Sequence, residues 1–100
     1  MKWRDVKEEI ARLTLTNDQR SNALDIIATA ADIPPPQDIS MNAYDNGLSL
    51  HWVDVGSELA VYDDHYETYR FGDGETAICH WQHEPGELID PAIFLELTAR

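Results

Sequence analysis

The sequence predicts an α+β fold: two N-terminal helices, an antiparallel meander of about five strands and a short C-terminal helix. Three observations carry this. Up to Ile33, apolar residues recur at helical spacing, broken once by a helix-start signal. From Asp38 to His83, short alternating runs are separated by turns rich in Asn, Asp and Gly. Asp90-Pro91 then opens a last apolar stretch at helical spacing. The chain reads as a single domain, with residues 1–33 a helical pair, 38–83 the sheet and 90–99 the terminal helix.

Trp3, Val6, Ile10 and Leu13 form one stripe of the first helix. Thr16-Asn17-Asp18-Gln19 fits a capping box, with the Thr16 hydroxyl on the Gln19 amide and the Gln19 side chain reaching back. Ala23, Leu24, Ile27, Ala30 and Ala31 make the second stripe, which Ile26 widens. Ile33-Pro34-Pro35-Pro36 ends that helix, because proline lacks an amide donor and disfavours helical geometry in the residue before it.

The first strand alternates Ile39, Met41 and Ala43 with polar residues, and Asp45-Asn46-Gly47 turns the chain. Leu48, Leu50 and Trp52 then face inward, as do Leu59 and Val61 after the Gly56-Ser57 turn. Asp63-Asp64-His65 makes the next turn, into a fourth strand from Tyr66 to Phe71 whose core face is expected to carry Tyr69 and Phe71. After Gly72-Asp73-Gly74, residues 76–82 form a fifth strand, whose inward face the pattern leaves open. Ile93, Phe94 and Leu97 give the terminal helix its apolar face.

An apolar fraction of 43%, with three Trp, four Tyr and two Phe, is enough for one modest core and argues against disorder. A single cysteine, Cys79, precludes an intrachain disulfide. No apolar run approaches the roughly 18–20 residues that cross a bilayer. Met1-Lys2-Trp3-Arg4-Asp5 is charged rather than a secretory signal, so a cytoplasmic protein without membrane contact is expected.

The net charge of −12 is unevenly placed. Residues 1–37 carry six acids against five bases, whereas residues 38–100 carry thirteen acids against only Arg70 and Arg100. Direct binding to nucleic acid is disfavoured, because phosphates attract clustered Lys and Arg. A basic protein surface is the partner such a charge would draw in.

Cys79-His80-Trp81-Gln82-His83 is where soft ligands cluster. On a strand, residues four apart lie about 13 Å from each other, too far to share one ion, and His51 or His65 would have to come in across the sheet. No metal site or cofactor is therefore assigned. A Cys-His nucleophile is disfavoured too, since no glycine-rich turn or helix start follows Cys79 to activate it. The acids Asp63-Asp64 and Glu84 with Glu87 fall in turns, where they should be solvated, whereas catalytic acids are marked by burial among apolar neighbours. Gly72-Asp73-Gly74 lacks the Lys and following helix of a phosphate loop. No catalytic residue is assigned, and a non-enzymatic protein is expected.

The stretches Ile33-Pro34-Pro35-Pro36, Asp45-Asn46-Gly47-Leu48-Ser49-Leu50-His51-Trp52 and Glu58-Leu59-Ala60-Val61 resemble a group of small domains scattered through bacterial and phage genomes. Those proteins join a helical start to a proline-rich link, a strand ending in Trp and a following hairpin. The resemblance covers roughly a third of the chain and rests on structural motifs. It implies no catalytic residue, and together with the small size and strong acidity it makes a phage or mobile-element origin the expectation.

The acidic sheet is thus the expected working surface, with partner-binding residues Asp54, Glu58, Tyr62, Asp63, Asp64, Tyr66, Glu67, Asp73 and Glu75. Carboxylates with interleaved aromatics suit an Arg-rich face or a groove built for phosphates. The expected function is to bind and block a basic, nucleic-acid-binding protein, as phage inhibitors of host defence (anti-CRISPR proteins among them), antitoxins and immunity proteins do. One alternative is an accessory domain that self-associates, possible as a homodimer, through its sheet or helix pair. Another is a metal- or small-molecule-binding protein using the Cys79/His80/His83 region.

Overall fold

The computed structural model describes residues 1–30, 32–72 and 74–99. Ala31, Asp73 and Arg100 fall outside the described residues, and with them the end of the second helical stripe and one expected partner-binding acid. The element order is α1 (Trp3–Arg12), α2 (Asn17–Thr29), β1 (Asp38–Met41), β2 (Leu48–Trp52), β3 (Ser57–Val61), β4 (His65–Phe71), β5 (Thr76–Gln82) and α3 (Ala92–Thr98). The strands form one sheet in the order β1-β2-β3-β4-β5, every neighbouring pair antiparallel. This is the α+β meander that the sequence predicts. No described helix is long and apolar enough to cross a membrane.

The helices cover one face of the sheet. Leu48, Leu50, Trp52, Leu59, Val61 and Tyr66 project from the strands onto Val6 and Ile10 of α1, Ala23 and Ile26 of α2, and Ile93, Phe94 and Leu97 of α3. Period-two alternation sends every second residue to this side, so the strict apolar spacing of β2 and β3 sets their orientation. The proline link is fastened by two indoles: Trp3 Nε1 donates to the Ile33 carbonyl at 3.0 Å, and Trp52 Nε1 to the Pro34 carbonyl at 2.8 Å.

Four details differ from the sequence reading. First, β1 ends at Met41, and Ala43 lies in a longer β1–β2 loop closed by Asn42 N–H on the Gly47 carbonyl at 2.8 Å. Asn46 takes a left-handed φ of 59°, which Asn tolerates because its short amide can bond locally. The Asp45 carboxylate receives the Gly47 amide at 2.9 Å.

Second, the α2 stripe is rotated. Its buried residues are Gln19, Asn22, Ala23 and Ile26, with Ala30 at its cap, while Leu24 and Ile27 are only half-buried. Third, the Thr16 hydroxyl does receive the Gln19 amide at 3.1 Å, but the Gln19 side chain does not reach back. Its amide nitrogen donates to the carbonyls of Asn46 at 2.7 Å and Val61 at 3.0 Å, tying α2 to two turns of the sheet. The bond to the Val61 carbonyl is buried, and a buried acceptor left without a donor costs more than a cap bond open to water. Gln19→Ala should therefore cost about 2 kcal/mol by leaving these carbonyls without a donor, read as a lower urea midpoint with unchanged slope.

Fourth, the core face of β4 carries Tyr66 and Thr68, not Tyr69 and Phe71. Tyr66 pairs with Val61 and Thr68 with Leu59, and both partners point inward, so the register fixes the face. Arg70 shares it, its guanidinium donating to the Glu96 carbonyl of α3 at 3.0 Å. The β5 residues paired with Tyr66, Thr68 and Arg70 are Trp81, Cys79 and Ala77, which settles the face of that strand as well.

Candidate functional site: the outer face of the sheet

The face turned away from the helices is built in rows. Ser49, Ala60, Glu67 and His80 follow one another across β2 to β5, and His51, Glu58, Tyr69 and Ile78 form the next row. Tyr62 and His65 stand at the β3–β4 end, where the Tyr62 amide donates to the His65 carbonyl at 3.0 Å. Among the described residues this face carries no Lys or Arg. The bases Lys2, Arg4, Lys7, Arg12 and Arg20 precede or lie in the helices, and Arg70 points inward.

The polar side chains here are tied together. Ser40 Oγ lies 2.8 Å from His51 Nε2, His51 Nδ1 lies 3.2 Å from Glu58 Oε1, and Ser49 Oγ donates to Glu58 Oε2 at 3.2 Å. The Tyr69 hydroxyl donates to Glu67 Oε1 at 2.7 Å. Burial, reinforced by that bond, pushes the Tyr69 phenol up to about 12. His65 Nε2 stands 3.5 Å from Glu67 Oε2, and His65 Nδ1 meets Asp64 Oδ1 at 2.6 Å. The hydrogen bond to His65 holds the Asp64 carboxyl below the usual carboxylate range.

Three rings stack beside this network. Tyr62 lies on His65 with centroids 4.4 Å apart, and His65 on His80 at 4.5 Å. The Tyr62 hydroxyl donates to Asp45 Oδ2 at 2.9 Å, so the β1–β2 loop and the β3–β4 turn meet. A Cβ at position 47 would stand 2.9 Å from Tyr62 Cε1, so any larger residue there would push the Tyr62 ring aside. Tyr69 and Phe71 stack at 6.3 Å towards the opposite end, near the exposed Ile78.

The expected partner-binding residues divide among three places. Glu58 and Glu67 lie centrally on the outer face. Tyr62, Asp63 and Asp64 border it at the β3–β4 turn. Asp54 and Glu75 sit at the other end, in the β2–β3 and β4–β5 turns, which the Phe71 amide joins by donating to the Gly56 carbonyl at 2.8 Å. Tyr66 belongs to none of these. It is fully buried, and its hydroxyl donates to the Asn22 carbonyl at 2.7 Å, so it offers no surface to a partner.

Cys79, His80 and His83 do not converge. Cys79 pairs with Thr68 on the core side, and His80 pairs with Glu67 on the outer side. His83 follows the end of β5 and turns inward, where Nε2 lies 3.2 Å from Asp25 Oδ2 and the ring rests on Tyr66 at 4.9 Å. Strand alternation separates the first two, and chain direction removes the third. The residues that do meet on the outer face, and that no motif announces, are His51 with Glu58, Tyr69 with Glu67, and His65 with His80.

No protein-family model matches the chain, and neither a curated protein nor a solved structure matches it.

Proposed function

We propose that the protein is a non-catalytic interaction protein whose outer sheet face binds and blocks an Arg-rich segment of a basic, nucleic-acid-binding protein. The observation that carries this reading is the make-up of that face. Glu58 and Glu67 lie beside the Tyr69/Phe71 stack and Ile78, with Asp45 and Asp64 at the rim and no Lys or Arg among the described residues there. Carboxylates supply the charge complement, and ring faces accept the flat, weakly hydrated guanidinium better than they accept an ammonium. A surface that holds the partner's arginines denies them to phosphates, which is how binding becomes blocking. Inhibitors of host defence and antitoxin-like proteins are the biological settings with this chemistry.

Fluorescently labelled nona-arginine and nona-lysine peptides test the reading by anisotropy. Nona-arginine should bind more tightly than nona-lysine and weaken by at least about tenfold from about 50 to 300 mM salt. Glu58→Gln with Glu67→Gln should weaken it about five- to tenfold, whereas Glu8→Gln with Glu84→Gln, which removes equal charge elsewhere, should change it less than about twofold. Equal weakening by the two pairs would reduce the attraction to net charge alone and sink the reading.

A further inference from the structure

We propose that His65, Glu67 and His80 form a binding site for one divalent transition-metal ion, of which Zn(II) is the best match. The proposal does not depend on the reading above. It starts from strand geometry: His65 and Glu67 are two apart on β4, so they share a face, and His80 on β5 is the direct antiparallel partner of Glu67. On β3 the neighbour of Glu67 is Ala60, whose short side chain puts no competing ligand or charge beside the carboxylate. One nitrogen or oxygen from each of the three lies within 4.8 Å of the others.

Two of the three ligands already stand at coordination spacing. An ion held tetrahedrally at about 2.0–2.2 Å keeps its ligand atoms about 3.4 Å apart, and His65 Nε2 is 3.5 Å from Glu67 Oε2. Both are also set by a further partner. Asp64 Oδ1 lies 2.6 Å from His65 Nδ1, the carboxylate–histidine arrangement that orients a metal ligand and would turn Nε2 to an ion beside Glu67. The Tyr69 hydroxyl occupies Glu67 Oε1 at 2.7 Å and leaves Oε2 unengaged by it.

His80 is the exposed member of the trio, its Nε2 a long 3.4 Å from Gln82 Oε1, and closing the site asks its ring to shift from the stack towards the other two ligands. Two imidazoles and one carboxylate select Zn(II), Co(II) or Ni(II) over Ca(II) and Mg(II), which favour all-oxygen ligands. Three protein ligands leave the fourth position to water on the solvent side.

The test is titration of the metal-free full-length chain with Zn(II) against a chromophoric chelator. One ion should bind per chain with a Kd of about 1 µM or tighter. His80→Ala and Glu67→Gln should each weaken it at least about tenfold, and Asp64→Asn about tenfold through His65. His51→Ala, on the same face but outside the trio, should change it less than about twofold. In NMR spectra the ring signals of His65 and His80 should move on zinc addition, while those of His51 and His83 stay. No stoichiometric binding, undiminished affinity in His80→Ala, or equal loss in His51→Ala would overturn the proposal; the last two would mark general collection of cations by an acidic surface. Because His80 is exposed, its alanine variant keeps the fold and decides the matter if Glu67→Gln does not. His80→Ala should also keep nona-arginine binding, so the two proposals can fail separately.

Discussion

Trp52→Ala is expected to destabilise the protein by about 3–5 kcal/mol, a large share of the about 5–15 kcal/mol that holds a typical domain folded. Trp52 ends β2 only 2% exposed, tilted against Trp3 at 6.3 Å, with its indole nitrogen on the Pro34 carbonyl. Truncation removes the largest buried ring, opens a cavity beneath α1 and leaves that carbonyl without its donor. Trp52→Phe should retain much of the packing but not the hydrogen bond, giving a loss between wild type and alanine. Urea denaturation followed by far-ultraviolet circular dichroism reads both variants. If the alanine midpoint equals that of the wild type, the indole does not fasten the proline link to the sheet.

Above pH 10 the protein should lose its tertiary structure while its tyrosines ionise. Tyr62, Tyr66 and Tyr69 all hold their protons beyond the ordinary phenol value of 10.0, foremost because burial penalises the phenolate. The acids Asp45, Asp25 and Glu67 reinforce this at Tyr62, Tyr66 and Tyr69 respectively. Between the unfolded and folded values the native state binds more protons than the unfolded chain, so stability falls as pH rises. The contribution is complete below about pH 10 and is lost progressively above it. Phenolate absorbance and near-ultraviolet circular dichroism should therefore change together, and Tyr66→Phe should separate them in part, since Tyr66 is the phenol sealed in the core. Three phenols titrating near pH 10 in an intact fold would refute this.

The orientation of β2 and β3 was legible in the sequence because Leu48, Leu50, Trp52, Leu59 and Val61 alternate with residues that are polar or small. That of β4 was not, because aromatic side chains fall on both of its phases: Tyr66 on one, Tyr69 and Phe71 on the other. Only the pairing of Tyr66 with Val61 decides between them, and register is a property of two strands rather than one. Arg70 deepened the ambiguity, since its inward guanidinium satisfies an α3 carbonyl that the local sequence does not announce. The same limit hid the outer cluster. His80 is visible beside Cys79 and His83, yet its true companions are Glu67, thirteen positions earlier, and His65. Gln19 followed a similar course: its backbone half obeys the capping rule, and its side chain answers carbonyls 27 and 42 residues away.

The sheet order repeats the chain order, and that has a bearing on how quickly the protein assembles. Each strand finds its partner one short turn away, so the meander forms through closures of low entropic cost, placing it towards the fast side of strand-rich domains. The slower encounters are those of α2 with the β3–β4 region, through Asn22 and Tyr66, and of α3 with β4, through Arg70. During synthesis the helical pair emerges before the sheet, with an apolar stripe that the strands have yet to cover, and α3 follows the sheet to supply another wall of the core. The molecule is laid down as a ribbon and closed from both ends.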